Sequence, residues 1–225
     1  MLRSFPVVAG AVALASVFST AAVSQERAGA AIRVQPDSFQ RTGFFRSDLD
    51  AGDEIIREAR LTTEKYGSVD ILFEDGTSMV ISPNSEVVVD EFVYSPGSTT
   101  GKAVISLGTG ALRMISGRMA SESYQVKTRV ATIGVRGTEF LLDTSTEGVT
   151  KIWVEDGTVL ATPVASNQTF EFNAPAYAEC SASACEDQSP GEPPVSFPSV
   201  PPFGGEGGDD AGGIDDPNES EGTDF

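Results

Sequence analysis

Three pairs of adjacent carboxylates are the first candidates for chemistry in this sequence. The pairs are Asp53/Glu54, Glu74/Asp75 and Glu155/Asp156. Two carboxylates that flank a glycosidic bond can hydrolyse it, but adjacent acids at strand ends are far more often solvated turn residues, and nothing distinguishes one pair here. The chain has no histidine, which excludes Ser-His-Asp and Cys-His catalysis and His-ligated metal sites. We therefore predict a protein that is not an enzyme and has no cofactor.

Two arginines are the other candidates. Arg136 lies in the sequence Gly134-Val135-Arg136-Gly137-Thr138, and Arg113 follows Gly-Ala-Leu. The glycines suit a turn with positive φ or a close backbone approach, and the threonine hydroxyl can cap such a turn. The guanidinium of Arg136 could pin nearby carbonyls or pair with Asp75 or Asp156, which is the structural role we favour. The alternative is that it receives a carboxylate or phosphate from a partner, and Arg113 has the same two interpretations.

Two acidic stretches fit calcium loops only in part. Residues 204–211 match most of a glycine-rich calcium nonapeptide, but that motif works by stacking many copies and only one is present. Residues 48–53 lack the twelve-residue loop of an EF-hand and its final glutamate. We expect a solvated turn at residues 48–53 and no metal site at either place.

Residues 1–24 have the pattern of a signal peptide. Arg3 precedes an almost wholly apolar or small run at residues 7–23, and Ala22 and Ser24 suit cleavage before Gln25. The run is short for a membrane span, and a retained N-terminal anchor is the alternative. We predict a periplasmic or secreted protein of a bacterium that has no stable membrane insertion after cleavage.

The charge is strongly negative and unevenly distributed. The formal net charge of -18 argues against nucleic acid and anionic lipid as partners. Residues 186–225 hold eleven acidic and no basic residues among many glycines and prolines, so we predict a disordered acidic tail that cannot bury enough apolar surface to fold.

Cys180 and Cys185 enclose four residues. In an oxidising compartment they predict a disulfide that completes the fold before the tail. The spacing is not that of a CxxC redox centre, and two cysteines without histidine make a poor zinc site.

The elements that must position these residues are strands. Runs rich in Val, Ile, Thr and aromatic residues are bounded by turn residues at 69–73, 78–81, 86–93, 103–107, 111–115, 124–128 and 139–142. Glu-Asp-Gly-Thr occurs at 74–77 and again at 155–158, each time between apolar runs, which predicts two turns. Only residues 53–63 suit a helix, and Trp153 has core spacing, with a carbohydrate platform as the minor interpretation.

These patterns predict an all-β protein of short strands. An N-terminal segment (25–47) would lead into the β domain (48–185), and the tail would follow. The glycine spacing suits either a solenoid-like stack of coils or a sandwich of hairpins, and the sequence does not choose between them.

Residues 124–142 resemble the signature of the FecR domain family. The matching residues are Thr128, Ala131, Gly134, Val135, Arg136, Gly137, Thr138 and Phe140. An upstream element matches through Phe73, Asp75, Gly76, Pro83, Asn84 and Ser85, and residues 107–113 and 154–163 fit too. Arg129 stands where the family commonly has proline.

The resemblance implies an extracytoplasmic, solenoid-like β domain that senses or binds. In iron-transport regulators such a domain relays the state of a receptor to a sigma factor. Only six residues precede the apolar run here, so we expect the domain without that whole pathway. The resemblance favours an envelope protein as partner, and a cell-wall or glycan-binding module is the alternative.

Overall fold

The computed structural model describes residues 27–189 and Gly191. The predicted signal peptide, its cleavage site at Ser24 and Gln25, the calcium-like stretch at 204–211 and most of the acidic tail lie outside the described residues. Within the described part of the chain, no helix is long and apolar enough to cross a bilayer.

The described residues form sixteen strands and one 3₁₀ turn at Ser121–Ser123, which confirms the all-β prediction. The first eight strands are β1 (Arg27–Val34), β2 (Ser38–Thr42), β3 (Phe45–Asp48), β4 (Glu54–Ile56), β5 (Arg60–Thr63), β6 (Val69–Phe73), β7 (Ser78–Ile81) and β8 (Ser85–Tyr94). The others are β9 (Gly101–Thr109), β10 (Ala111–Ile115), β11 (Tyr124–Lys127), β12 (Ala131–Asp143), β13 (Thr150–Pro163), β14 (Phe170–Asn173), β15 (Ala176–Cys180) and β16 (Cys185–Asp187).

A long hairpin of β12 and β13 joins two halves of one hydrogen-bonded sheet, which curls into a half-barrel. The first half-sheet runs β3-β2-β5-β8-β9-β11 to the start of β12 and continues from the end of β13 to β14. The second half-sheet runs β4-β1-β6-β7-β10 to the end of β12 and continues from the start of β13 to β15 and β16. Each long strand therefore changes neighbours midway along its length.

The sheet differs from a stack of solenoid coils. Among the described strands, only β9 and β11 pair in parallel, whereas the turns between successive strands produce antiparallel pairs. The segment with a helical pattern, residues 53–63, forms β4 and β5, which pair with β1 and with β2 and β8. The N-terminal segment is part of the same sheet, because β1 lies between β6 and β4.

The two copies of Glu-Asp-Gly-Thr have different structures. The first forms the predicted turn between β6 and β7, where Gly76 has φ +87°. The second prediction is wrong, because Asp156 and Gly157 lie inside the continuous strand β13. The long strand β12 pairs with β13 on both sides of Asp156 and Gly157, so β13 continues through them without a turn.

The inner side of the curled sheet encloses one core. Alternate residues of the central strands point inward, since successive side chains of a strand lie on opposite faces. The largest fully buried side chains come from both half-sheets and include Phe92, Ile105, Tyr124, Ile71, Met79 and Phe140. Burial of each such apolar side chain contributes about 1.5–3 kcal/mol, so the core ties the halves together.

Trp153 is buried, as its spacing predicts, but it lies outside this continuous core cluster. It alternates with the core residues Ile152 and Val154, so its side chain lies on the outer face of β13. There it stacks on Tyr177 of β15 with ring centroids 4.8 Å apart, and it is only 5% exposed. The indole is therefore buried on the outer face of the sheet, where Tyr177 covers it.

The predicted disulfide joins Cys180 and Cys185, which are directly opposed on β15 and β16. Both cysteines belong to the core cluster. The cross-link therefore closes the last hairpin of the second half-sheet and fixes it at the edge of the core.

Replacement of both cysteines by serine should lower the free energy of unfolding by about 2 kcal/mol or less, because the closed loop is short. Urea denaturation followed by tryptophan fluorescence would measure the change. Dithiothreitol is the matched control, since it should destabilise the wild-type protein by a similar amount and leave the double variant unchanged. A double variant that is as stable as the oxidised protein would contradict this role for the cross-link.

Candidate functional site

The first Glu-Asp-Gly-Thr turn places a carboxylate at the centre of a hydrogen-bond network. Asp75 is 0% exposed. Its carboxylate accepts hydrogen bonds from the backbone N–H of Thr77 (3.0 Å), the hydroxyl of Thr77 (2.8 Å) and the hydroxyl of Tyr124 (2.5 Å). A buried carboxylate is tolerated only when such donors satisfy it, so the aspartate that the sequence singled out has a structural role here.

Tyr124 extends this network to the next loop. Its hydroxyl also accepts a hydrogen bond from the backbone N–H of Met119 at 3.0 Å. Burial of the phenol, followed by its hydrogen bond to Asp75, raises the pKa of Tyr124 to about 12. The neutral phenol is thus the form that the fold requires. Sequence reasoning missed this residue, which begins the strand before the Arg136 motif.

The Gly134–Thr138 motif forms a β-bulge instead of the predicted turn. The register of β12 against β13 shifts between Arg136 and Glu139, and Gly137 has φ +57°. Gly157 of the second Glu-Asp-Gly-Thr copy faces the bulge with φ +77°, and a Cβ at that position would lie 2.1 Å from the carbonyl oxygen of Gly137. Both glycines are therefore required by the backbone.

Thr138 secures the bulge from inside. Its hydroxyl accepts a hydrogen bond from the backbone N–H of Arg136 (2.9 Å) and donates one to the carbonyl oxygen of Thr158 (3.1 Å). Its backbone N–H donates to the hydroxyl of Ser116 at 2.9 Å, and the N–H of Ser116 donates back to its carbonyl oxygen at 3.0 Å. The threonine thus joins three segments of the chain.

One loop connects the two sequence motifs, which lie far apart along the chain. Ser116 holds Thr138 in the bulge, while the N–H of the next residue, Gly117, donates to the hydroxyl of Thr77 at 3.0 Å. The N–H of Arg118 donates to the carbonyl oxygen of Asp75 at 3.0 Å. The structure therefore brings the Asp75 turn and the bulge onto residues 116–118, a loop that carried no signal in the sequence.

Arg136 differs from the rest of its motif. Val135 is buried, Gly137 and Thr138 shape the bulge, and Arg136 is exposed. Among the described residues it forms no ion pair with Asp75 or Asp156, the two carboxylates considered from the sequence. Asp75 is enclosed by its own donors, and Asp156 lies opposite Glu139 in the ladder. The bulge presents this guanidinium to solvent.

Arg113 of β10 has acidic partners on the adjacent strand β12 and on β13, the strand beyond it. Its guanidinium is bonded to the carboxylate of Glu139 on β12 and lies 3.2 Å from that of Glu155 on β13. Burial, together with the nearby Glu139, raises the pKa of Glu155, and the Arg113 charge opposes that rise. Within the described residues, no three Cys, Asp or Glu side chains converge as metal ligands would.

Substitution of Tyr124 by phenylalanine should lower the free energy of unfolding by about 1–3 kcal/mol, because the N–H of Met119 loses its acceptor and Asp75 loses a donor. Chemical denaturation at neutral pH would measure this change. The matched control is Tyr66→Phe, where the side chain is 68% exposed and a change within about 0.5 kcal/mol is expected. Equal stability of the two variants would contradict the network.

The same pair of variants should differ in alkaline solution. The pKa of Tyr124 in the folded protein, about 12, lies above its ordinary value of 10.0. Stability that depends on the neutral phenol is therefore complete below pH 10 and is lost as the pH rises through 12. Thermal unfolding between pH 9 and 12 should show a steeper loss for Tyr66→Phe than for Tyr124→Phe, and parallel curves would count against this assignment.

Comparison with known proteins identifies the region that contains both motifs. Residues 59–160 match the model of the family described as FecR protein. No curated protein matches the chain. Two crystal structures of a candidate anti-sigma factor from Parabacteroides distasonis are similar over part of their length. The one at 1.65 Å resolution has 15% identity and a TM-score of 0.46, and the one at 2.50 Å has 14% and 0.45.

Each of these two matches covers 57% of this chain and 58% of the chain in the crystal structure. The family match includes the Asp75 turn, the loop at 116–118, Tyr124, the bulge and Gly157. Residues 59–160, with the two motifs and the loop that joins them, are therefore a FecR domain.

Proposed function

We propose that this chain is an exported, non-catalytic sensing or binding module of the bacterial envelope that acts through protein–protein contacts, with Arg136 as a contact residue. The observation that carries the proposal is the contrast within the motif. Gly137 and Thr138 are required by the backbone of the bulge, whereas Arg136 is exposed and forms no ion pair within the described residues.

The chemistry of the contact follows from the guanidinium. Its planar group of donors suits a carboxylate, which it can bind in a bidentate manner. The backbone of Arg136 is fixed by Thr138, whose hydroxyl accepts a hydrogen bond from its N–H, and by pairing with Thr158 of β13. A rigid support keeps the ordering cost of binding low, so an acidic side chain of a partner protein is the ligand we propose.

The signal-peptide pattern, the disulfide and the family match support a location in the bacterial envelope and a protein partner. The signal-peptide pattern precedes β1, and the disulfide between Cys180 and Cys185 is of the kind that persists in oxidising compartments. The proposal of a protein partner comes from the FecR domain at residues 59–160. Membership of a sigma-factor pathway is not part of it.

A glycan is the second candidate ligand, on the basis of one observation. A cleft of about 380 Å³ on the outer face is lined by Trp153, Glu155, Pro175, Tyr177 and Ser189. A carboxylate beside aromatic side chains suits a sugar. Trp153 is nevertheless only 5% exposed and already stacks on Tyr177, so it offers no open platform, and we rank the protein partner first.

Substitution of Arg136 by alanine should weaken partner binding about tenfold or more, because a charge-assisted hydrogen bond contributes roughly 1.5–3 kcal/mol. The exported and processed chain would be used to capture partners from an envelope extract, before and after muramidase digestion. Arg129→Ala, which removes another exposed arginine of the same region, is the matched control. Both variants should keep the wild-type melting temperature.

The outcomes separate the hypotheses. One protein captured before and after digestion by the wild type and Arg129→Ala, but not by Arg136→Ala, would support the proposal. Loss of thermal stability in Arg136→Ala alone would show that this arginine is structural. Retention on intact cell wall that is lost on digestion would contradict the protein-binding function and favour the glycan-binding one.

A further inference from the structure

The strand β3 ends the first half-sheet with a free edge among the described strands, because it pairs only with β2. Thr42 and Phe45 close the two-residue turn between these strands, and Leu49 donates its N–H to Ser38 of β2 at 3.0 Å. Hydrogen-bonding direction alternates along an antiparallel strand. Residues 45, 47 and 49 therefore face β2, which leaves the N–H and C=O groups of Arg46 and Asp48 directed to the open edge.

The exposed edge has a charge pattern that complements itself. All four residues of β3 are exposed, and Arg46 and Asp48 project from the same face because they are two apart. If two copies of β3 pair in antiparallel fashion, the open backbone groups of Arg46 and Asp48 in one copy must pair with those of the other copy. When the two-fold axis passes through Ser47, Arg46 of each copy lies opposite Asp48 of the other. When it passes through Arg46 or Asp48 instead, two arginines or two aspartates lie opposite each other, which is unfavourable.

The same register would cover the largest exposed apolar side chains. Phe44 and Phe45, at the turn, are 98% and 84% exposed, and pairing would remove this apolar surface from water. With Ser47 at the centre, they fall opposite Asp50 and Leu49 of the other copy. There a cleft of about 580 Å³ is lined by Asp37, Asp48 and Asp50 as well as by Val34, Pro36, Leu49 and Ala51. The apolar part of this cleft would receive the aromatic side chains.

We propose that two copies of this chain form a symmetric dimer by antiparallel pairing of their β3 strands, centred on Ser47. Each copy sets Arg46 against Asp48 of the other and inserts Phe44 and Phe45 into the cleft beside Leu49. A two-fold axis repeats every contact, so the same surface patch serves on both copies. One strand pairing therefore uses the opposite charges, the open backbone edge and the exposed aromatic side chains. The interface is independent of Arg136 and its partner.

Charge-exchange variants test the pairing. Arg46→Asp opposes two pairs of acids across the axis, and Asp48→Arg opposes two pairs of arginines, so each variant alone should dimerise about tenfold or more weakly than the wild type. A mixture of the two variants restores both opposite-charge pairs and should form the mixed dimer. Analytical ultracentrifugation of the exported chain at about 0.15 M salt, where the net negative charges are partly screened, would measure all three.

The variant Asp48→Arg separates the specific contact from net charge. It makes the chain less negative, so general repulsion alone predicts stronger association, whereas the proposed pairing predicts weaker association. Phe44→Ser with Phe45→Ser should also weaken the dimer, and Val164→Ser, which alters another exposed apolar residue at 59% exposure, should not. A monomeric wild type across the micromolar range, or two charge variants that do not associate when mixed, would overturn the proposal.

Discussion

The contact between Gly137 and Gly157 is the constraint on which the rest of the structure depends. The carbonyl oxygen of Gly137 lies 2.1 Å from the position that a Cβ on Gly157 would take, so the two strands approach this closely only because Gly157 has no side chain. This approach lets β12 and β13 bulge together and change neighbours at the same place. The hairpin of β12 and β13 can then belong to both half-sheets, and the two half-sheets enclose a single core.

The buried carboxylate of Asp75 is the counterpart of the bulge on the other side of the loop at 116–118. Charge in a protein interior is costly unless donors surround it, and here the donors come from Thr77 and Tyr124. Because the same loop holds Thr138, the turn and the bulge stabilise each other. Two motifs about sixty residues apart therefore act as one structural unit.

This unit explains why the exposed side chain of Arg136 is informative. Residues that shape the backbone are required by the fold, whereas the side chain of Arg136 is supported by them and forms no ion pair among the described residues. The β3 edge is at the far end of the first half-sheet and depends on different chemistry, namely open backbone groups with alternating charge. The two proposed contact surfaces therefore differ in character, one for an acidic group of a partner and one for a second copy of the strand.

Local sequence was sufficient wherever neighbours along the chain decide the structure. β-branched residues between turn signals predicted the all-β class, the spacing of Cys180 and Cys185 predicted the disulfide, and the glycines around Arg136 predicted a special backbone. The first Asp-Gly formed its turn, because φ > 0 at Gly76 needs nothing beyond the glycine itself.

The tertiary structure decided what depends on distant partners. The second Asp-Gly lies inside β13, opposite the bulge, because β12 pairs on both sides of it. Trp153 lies on the outer face because it alternates with Ile152, which is in the core. The roles of Tyr124 and Ser116 required the fold, since their partners lie far away in sequence. Periodicity gives a side chain its face, but only long-range pairing determines what that face meets.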